Sequence, residues 1–452
     1  MFSTLDYPTE EAGFAESIRR EATDFLQRVR SRPCLAVLCG NSEGQQQASM
    51  MGLGEGEWAS PFFDTWLPEK CAEIRPDVPW WPSTPSGGAL PFDPRTGTSH
   101  YFGVGGYRRP LNDVQVTRPA FATECLAFAN PTGVHGPEET SAHRVPRDRG
   151  ADWDFADVTR HYCDALFGEE TRDPSEQAAL LRATTSILME RTMARLRDPR
   201  TGCGGAIVLT HQDPWACAGW GVRDYRGRPK SAWYGLARAW APVAVSIFDE
   251  GLAGLWVQVF NDRPERLLRT LEIELTRENG IVVESAQTEV DVPARGSILV
   301  SVEATIGRFV DSAYAYRFGP PNFDLAIARL QEVGTDKETP GEQVGTVATF
   351  NLFSNTHQIG GSQSDGAVGL SAKWSGYTKD RATLLLSCAR LVNCMAIEVE
   401  GAVPEDNFFV LPPGQIREVN VHRMGDGAIG TARIGVLGSD EIIELDQPPM
   451  DC

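Results

Sequence analysis

An α/β first half followed by an all-β second half is the fold class this sequence of 452 residues predicts, on three observations. Two short apolar runs, Leu35-Ala36-Val37-Leu38-Cys39 and Ala120-Phe121-Ala122, break off into polar stretches that each carry one glutamate, Glu43 and Glu124. Up to about residue 240 such runs alternate with apolar residues at helical spacing. Beyond it the texture changes to short alternating strands separated by turn residues. A glutamate at the mouth of a parallel strand stands where barrel enzymes keep their reacting groups.

Taken in order, Phe14, Ile18, Ala22, Phe25, Leu26 and Val29 recur at helical spacing after Thr9, with Glu10 and Glu11 suited to the first turn and Pro33 as the stop. A strand from Cys34 to Cys39 follows at once. Between Asn41 and Thr96 lies a long Gly- and Pro-rich excursion carrying Trp58, Trp66, Trp80 and Trp81. On a βα loop such rings grip a substrate, or they bury a loop that folds on itself. His100 sits in a strand-like run with Tyr101 and Phe102, where a lone histidine fits a satisfied core position. A helix is predicted from about Pro174 to Arg197, leading through Gly202-Cys203-Gly204-Gly205 to a strand Ala206–Leu209. Pro229 suits the first position of a closing helix that runs through Trp240.

From about Ala241, the runs Val243–Val245, Leu255–Val259, Leu271–Leu275 and Ile298–Val302 read as one β-sandwich. A charged connector around Gln331 to Gln343 precedes a second set: Val347–Phe353, Ala382–Cys388, Met395–Val399 and Glu418–Val421. The domains expected are therefore residues 1–240, 241–318 and 319–452.

A composition of 41% hydrophobic and 23% charged residues builds ordinary cores. The net charge of −19 argues against nucleic acid or an anionic membrane as partner, and solubility alone accounts for it. No apolar run approaches the roughly 20 residues of a membrane span, and the N-terminus lacks a signal-peptide pattern. Ten cysteines follow no disulfide framework and form no C-x-x-C pair, as suits buried thiols of a reducing, cytoplasmic compartment. Seven histidines show no metal-ligand spacing, so neither metal nor cofactor is expected.

Two carboxylates delivered from strand ends are the minimum equipment for cleaving a glycosidic bond. One must be protonated to release the leaving oxygen while the other, ionised, attacks or stabilises the anomeric carbon. Cys39-Gly40-Asn41-Ser42-Glu43, Trp81-Pro82-Ser83-Thr84-Pro85-Ser86-Gly87-Gly88, Gly97-Thr98-Ser99-His100-Tyr101-Phe102-Gly103-Val104 and Phe121-Ala122-Thr123-Glu124 follow one another as landmarks. Gln212-Asp213-Pro214-Trp215 and Gly227-Arg228-Pro229-Lys230-Ser231-Ala232-Trp233-Tyr234 continue the series. In order and approximate spacing they resemble the β-mannosidases of glycoside hydrolase family 2, over essentially the whole chain.

The resemblance implies the C-terminal part of a (β/α)8 TIM barrel, about strands four to eight, followed by two immunoglobulin-like β-sandwiches. It implies a retaining exo-β-glycosidase releasing terminal β-D-mannosyl residues from an oligosaccharide or glycoside, with Glu43 as acid/base and Glu124 as nucleophile. It places Asn41, Ser42, Trp81, His100, Tyr101, Asp213 and Trp215 around the sugar. Most relatives have Asn directly before the acid/base, where its amide contacts the 2-hydroxyl. Here that position is Ser42, with Asn41 one residue earlier, which leaves mannose, glucosamine and galactose open. Cys125-Leu126 replaces the aromatic and Gly that follow the nucleophile in many relatives. In relatives a jelly-roll, an immunoglobulin-like domain and the first barrel strands precede the segment matching Met1 to Pro8. An N-terminal complementing polypeptide is accordingly an expected partner. The alternatives are a truncated, incompetent fragment and a carbohydrate-binding or scaffold protein.

Overall fold

The computed structural model of the chain describes residues 7–58, 60–132, 145–147, 151–168, 174–277, 279–333, 347–351, 368–436 and 441–449. They divide between two compact units, one drawn from Met1–Leu126 and Arg195–Leu209, the other from Ala127–Ala194 and Thr210–Cys452. The expected first domain, residues 1–240, is thereby split. The part after Leu126 groups largely with the β-rich remainder, because its helices are bonded to that remainder (Arg238 with Asp406 and Asn407). Met1 to Asp6 lie outside the described residues.

In the first unit, helix α1 (Ala12–Val29) buries Ala15, Ile18, Ala22 and Leu26, spaced three or four apart. Glu11 is its N-cap, so Glu10 and Glu11 precede the first turn instead of occupying it. Arg75 closes its far end by donating to the carbonyls of Val29 and Arg32 while pairing with Asp77. Strand β1 is Leu38–Ser42 and not 34–39, since Leu38 is where cross-strand bonding begins, with its amide on the Pro79 carbonyl at 3.0 Å.

The predicted excursion proves to be largely regular. It holds α2 (Gly44–Met50), a 3-10 turn at Glu55–Glu57, a π-type turn at Phe62–Trp66 running into α3 (Leu67–Ile74), and β2 (Trp80–Thr84). β2 lies parallel to β1, from Leu38↔Trp80 to Ser42↔Thr84. Trp66 stacks on Phe62, Trp58 donates to the Leu53 carbonyl, and Trp80 packs on the core of Leu26, Leu38, Phe62 and Leu67. These three rings hold the unit together. After β3 (Ser99–Tyr101) and α4 (Asp113–Thr117) comes β4 (Ala122–Cys125), parallel to β3. A single parallel bridge from Ala122 to Ala206 is what forms of the predicted strand 206–209. Among the described residues this is two short parallel pairs and a bridge, not a continuous five-stranded wall.

The second unit contains α5 (Phe155–Phe167), opened by a reciprocal cap between Asp154 and Asp157. Helix α6 occupies Pro174–Arg197, the predicted span. Helix α7 is Ser231–Ala239 with Lys230 as N-cap, so Pro229 stands just outside it. Next come β5 (Val243–Asp249), β6 (Leu255–Asn261), β7 (Leu267–Thr276), β8 (Val282–Val292), β9 (Gly296–Ser301), α8 (Val302–Ile306), β10 (Leu325–Gln331) and β11 (Val347–Asn351). Sheets β5-β6-β9 and β11-β10-β7-β8 enclose Val257, Val259, Leu271, Ile273, Leu275 and Val290.

The expected break between residues 318 and 319 does not divide the strands. β10 runs antiparallel along β7, Leu325 opposite Thr276 and Gln331 opposite Thr270, and β11 pairs with β10, so both complete the first sandwich. Leu352, Phe353 and the connector from residue 334 onward lie outside the described residues.

The last eight strands are β12 (Ser371–Tyr377), β13 (Arg381–Ser387), β14 (Val392–Val399), β15 (Ala402–Pro404), β16 (Phe409–Leu411), β17 (Arg417–Arg423), β18 (Ala432–Val436) and β19 (Ile442–Leu445). They form one antiparallel sheet, β12-β13-β17-β15-β14-β18-β19 with β16 on β14, where two packed sheets were expected. Trp374 on β12 donates to the Asp446 carbonyl beyond β19, drawing the edges together around Leu384, Met395, Ile397, Val421 and Ile434. All nine described cysteines are free, and no helix among the described residues is long and apolar enough to cross a membrane.

Candidate active site

The chain leaves β1 through a turn that aims Glu43. Its backbone takes φ 65° and ψ 0°, a left-handed conformation that a side-chain-bearing residue adopts only when its surroundings enforce it. The enforcement is visible. The Glu43 amide donates to the Thr84 carbonyl at 2.7 Å, and the buried Asn41 side chain accepts from the Gly44 amide at 3.0 Å and from Ser83 Oγ at 2.7 Å. Asn41 therefore locks the turn from the interior.

On the other parallel pair, His100 and Glu124 are register partners. His100 Nδ1 lies 2.9 Å from Glu43 Oε1 and 3.5 Å from Glu124 Oε2, its ring only 2% exposed. Ser42 Oγ donates to Glu124 Oε1 at 3.1 Å, and Gln46 Nε2 donates to Glu43 Oε1 at 3.2 Å. One ligand atom each from Glu43, His100 and Glu124 lie within 4.8 Å of one another, a closeness their hydrogen bonds account for. The bond with His100 holds the Glu43 carboxyl below its ordinary value, outweighing the opposing effect of partial burial.

The other sequence-derived candidates fall elsewhere. Tyr101 is in the core, its hydroxyl donating to Asp113 Oδ2 at 3.0 Å. Trp81 is half-buried on β2, its indole N–H shielded and without a hydrogen-bond partner among the described residues. Asp213 and Trp215 belong to the second unit. There Asp213 is buried against Lys230, accepting also from the Gly221 amide, while Trp215 is exposed. Desolvation pushes the Asp213 carboxyl up and the Lys230 ammonium down. Two groups at the site were not anticipated: Thr84, with Oγ1 3.2 Å from His100 Nε2, and Thr123, hydrogen-bonded to Thr84. Both stand in motifs quoted for other residues, and their position at strand ends beside Ser42 and Glu124 was the available signal.

No family model matches the chain. Among curated proteins, "Beta-mannosidase B" of Aspergillus clavatus is 24% identical over 459 residues, which is 94% of this chain and 52% of that protein. Among solved structures, β-D-mannosidase from Dictyoglomus thermophilum superimposes with a TM-score of 0.75 at 18% identity, over 95% of this chain and 51% of the other. The chain is similar to these β-mannosidases. An exo-chitosanase from Amycolatopsis orientalis shares the fold less closely, with a TM-score of 0.66 at 14% identity over 94% of this chain and 53% of that one. The β-mannosidase-like chain spans about half the length of the curated relatives it matches.

Proposed function

We propose that this chain carries the catalytic pair of a retaining exo-β-glycosidase of the β-mannosidase type, a glycoside hydrolase acting on terminal β-D-mannosyl residues. The observation that carries the reading is the spacing of Glu43 and Glu124, whose nearest oxygens lie within 4.8 Å. Retaining enzymes hold their carboxyls about 5–5.5 Å apart, while inverting enzymes need about 6.5–9.5 Å for an intervening water. Glu124, fixed by Ser42, attacks the anomeric carbon and forms a glycosyl ester as Glu43 protonates the departing oxygen. Glu43 then takes a proton from water, whose oxygen displaces Glu124. In this reading β1 to β4 are strands four to seven of a (β/α)8 barrel, the bridge at Ala206 marks the eighth, and the β bodies are accessory. The names of the relatives support mannose, and the exo-chitosanase likeness keeps glucosamine as the competing sugar.

Because the chain spans about half of its relatives, we also propose that a segment corresponding to their other half completes the site, whether it belongs to the same polypeptide or is supplied by a second. The test is the product anomer, followed by proton NMR, from 4-nitrophenyl β-D-mannoside, with the chain alone and with the product of the upstream reading frame. β-Mannose should appear first, faster with both polypeptides, and E124A should abolish turnover. α-Mannose as first product, or full turnover by E124A, overturns the assignment.

A further inference from the structure

We infer that His100 is the proton store of Glu43: the hydroxyl chain behind its ring fixes a hydrogen on Nε2, leaving the proton between Nδ1 and Glu43 as the one delivered to the leaving group. The inference rests on the glycosidase reading above and adds to it a positioning residue that acts through Glu43.

The direction of the chain follows from counting hydrogens. The Ser99 carbonyl can only accept, and Thr123 Oγ1 donates to it at 3.2 Å. A hydroxyl has one hydrogen, so toward Thr84 the Thr123 oxygen is the acceptor and Thr84 Oγ1 the donor. With its hydrogen thus engaged, Thr84 Oγ1 meets His100 Nε2 at 3.2 Å as an acceptor, and Nε2 carries N–H. On the opposite edge Nδ1 faces Glu43 Oε1 at 2.9 Å, a distance at which two lone pairs would repel, so a proton lies between them. The two forms, imidazolium against carboxylate and imidazole against carboxylic acid, differ only in which atom holds that proton.

The groups packed on His100 favour storing it there. Among the described residues, the titratable ones facing the ring are Glu43, from the end of β1, and Glu124, from β4. β2 presents the neutral Thr84 hydroxyl, and the Phe102 ring stands edge-on at 6.1 Å. Two carboxylate oxygens, at 2.9 and 3.5 Å, face Nδ1, so a hydrogen carried there is held by a charge-assisted bond. That resolves a difficulty, since a carboxyl held in its ionised form by His100 is a poor acid until the proton crosses to it.

The step balances. Nδ1–H passes to Glu43 Oε1, Glu43 gives that proton to the glycosidic oxygen as its bond to the anomeric carbon breaks, and Glu124 supplies the electron pair of the new ester. On hydrolysis, water loses a proton to Glu43, which returns it to Nδ1, while the water oxygen replaces Glu124 at the anomeric carbon.

The first measurement is nitrogen-15 NMR of the full chain labelled at histidine, with H100Q assigning the signal. Nε2 should remain protonated from about pH 5 to about pH 8, the range in which histidines ordinarily change charge. An unprotonated Nε2 with hydrogen fixed on Nδ1 overturns the proposal. T84V should release the tautomer and let both nitrogens exchange; an unchanged spectrum overturns the role of the hydroxyl chain. The second measurement is kcat/KM of H100Q on two substrates. Methyl β-D-mannoside, which needs a protonated leaving oxygen, should lose about 100-fold, and 2,4-dinitrophenyl β-D-mannoside, which does not, should lose at least about tenfold less. Equal losses would mean that His100 merely shapes the site. If the unsubstituted protein cleaves neither mannoside, with or without the complementing polypeptide, the glycosidase reading fails, while the NMR result still decides whether the proton is stored as inferred.

Discussion

Glu43 is held in a left-handed backbone conformation, and its hydrogen bonds tie the proposed acid/base to stability. Its carboxyl is lowered chiefly by the hydrogen bond from His100. A lowered folded-state value means that the ionised form stabilises the native state at pH values above the ordinary carboxylate range, and that this contribution disappears as pH falls through the folded value. E43Q should therefore unfold at a lower temperature than the unsubstituted protein at pH 7, and the gap should shrink as pH drops below about 4.3, the unperturbed glutamate value. Thermal unfolding followed by circular dichroism across that range reads it. A gap independent of pH would mean that the charge of Glu43 contributes nothing to folding. The same residue scale explains which predicted contacts reach the carboxylates. Successive residues on a strand face opposite ways, so of Asn41 and Ser42 only Ser42 meets Glu124, and of His100 and Tyr101 only His100 meets the pair.

At the scale of elements, β1 and β2 are set together by Gly40. A Cβ there would sit 2.6 Å from the Pro82 carbonyl oxygen and 2.9 Å from the Trp80 ring, closer than real contacts allow. G40A should force the two strands apart and, with them, Ser42 from Thr84. A cost of about 1–3 kcal/mol follows from overpacking a close contact, and denaturant unfolding measures it. Stability within error of the unsubstituted protein would show that the strands can shift freely. Elements with an apolar signature were legible in the sequence: α1 through its helical rhythm, β6 and β7 through their apolar runs, and α6 through its length and its leucines rather than any one apolar face. α2 was not, because Gly44–Met50 buries Ala48 alone and offers no apolar stripe, and β8 was not, because its mostly polar outer face dilutes the alternation. The site was legible as two glutamates at strand ends. Its hydroxyls were not, since Thr84 and Thr123 acquire meaning only once two separate parallel pairs bring them within bonding distance.

At the scale of the whole molecule, the helices and the eight-stranded sheet of the second unit share one partly buried ion-pair network. Arg238 on α7 meets Glu190 of α6 at 2.8 Å and Asp406 at 2.5 Å, and also donates to the Asn407 carbonyl and to Ser186 Oγ. Asp406, which lies just before β16, is shared with Arg417 of β17, whose guanidinium sits 3.7 Å over the Phe409 ring. Gly235 allows α7 this approach, because a Cβ there would lie 2.2 Å from the Ser186 carbonyl oxygen. Removing Arg238 takes one planar fork from both Glu190 and Asp406 and leaves Asp406 to Arg417 alone. R238A should cost about 1–3 kcal/mol, less than a fully buried pair would, because water reaches Glu190 and, in part, Arg238 and Asp406. R238K, which keeps the charge and loses the fork, should fall between. Unfolding by guanidinium, followed through tryptophan fluorescence and far-ultraviolet circular dichroism together, distinguishes two cases. If the network couples α6 and α7 to the eight-stranded sheet, R238A should move both signals alike; a shift confined to one would mean that helices and sheet unfold independently and that the ion pairs join them only geometrically.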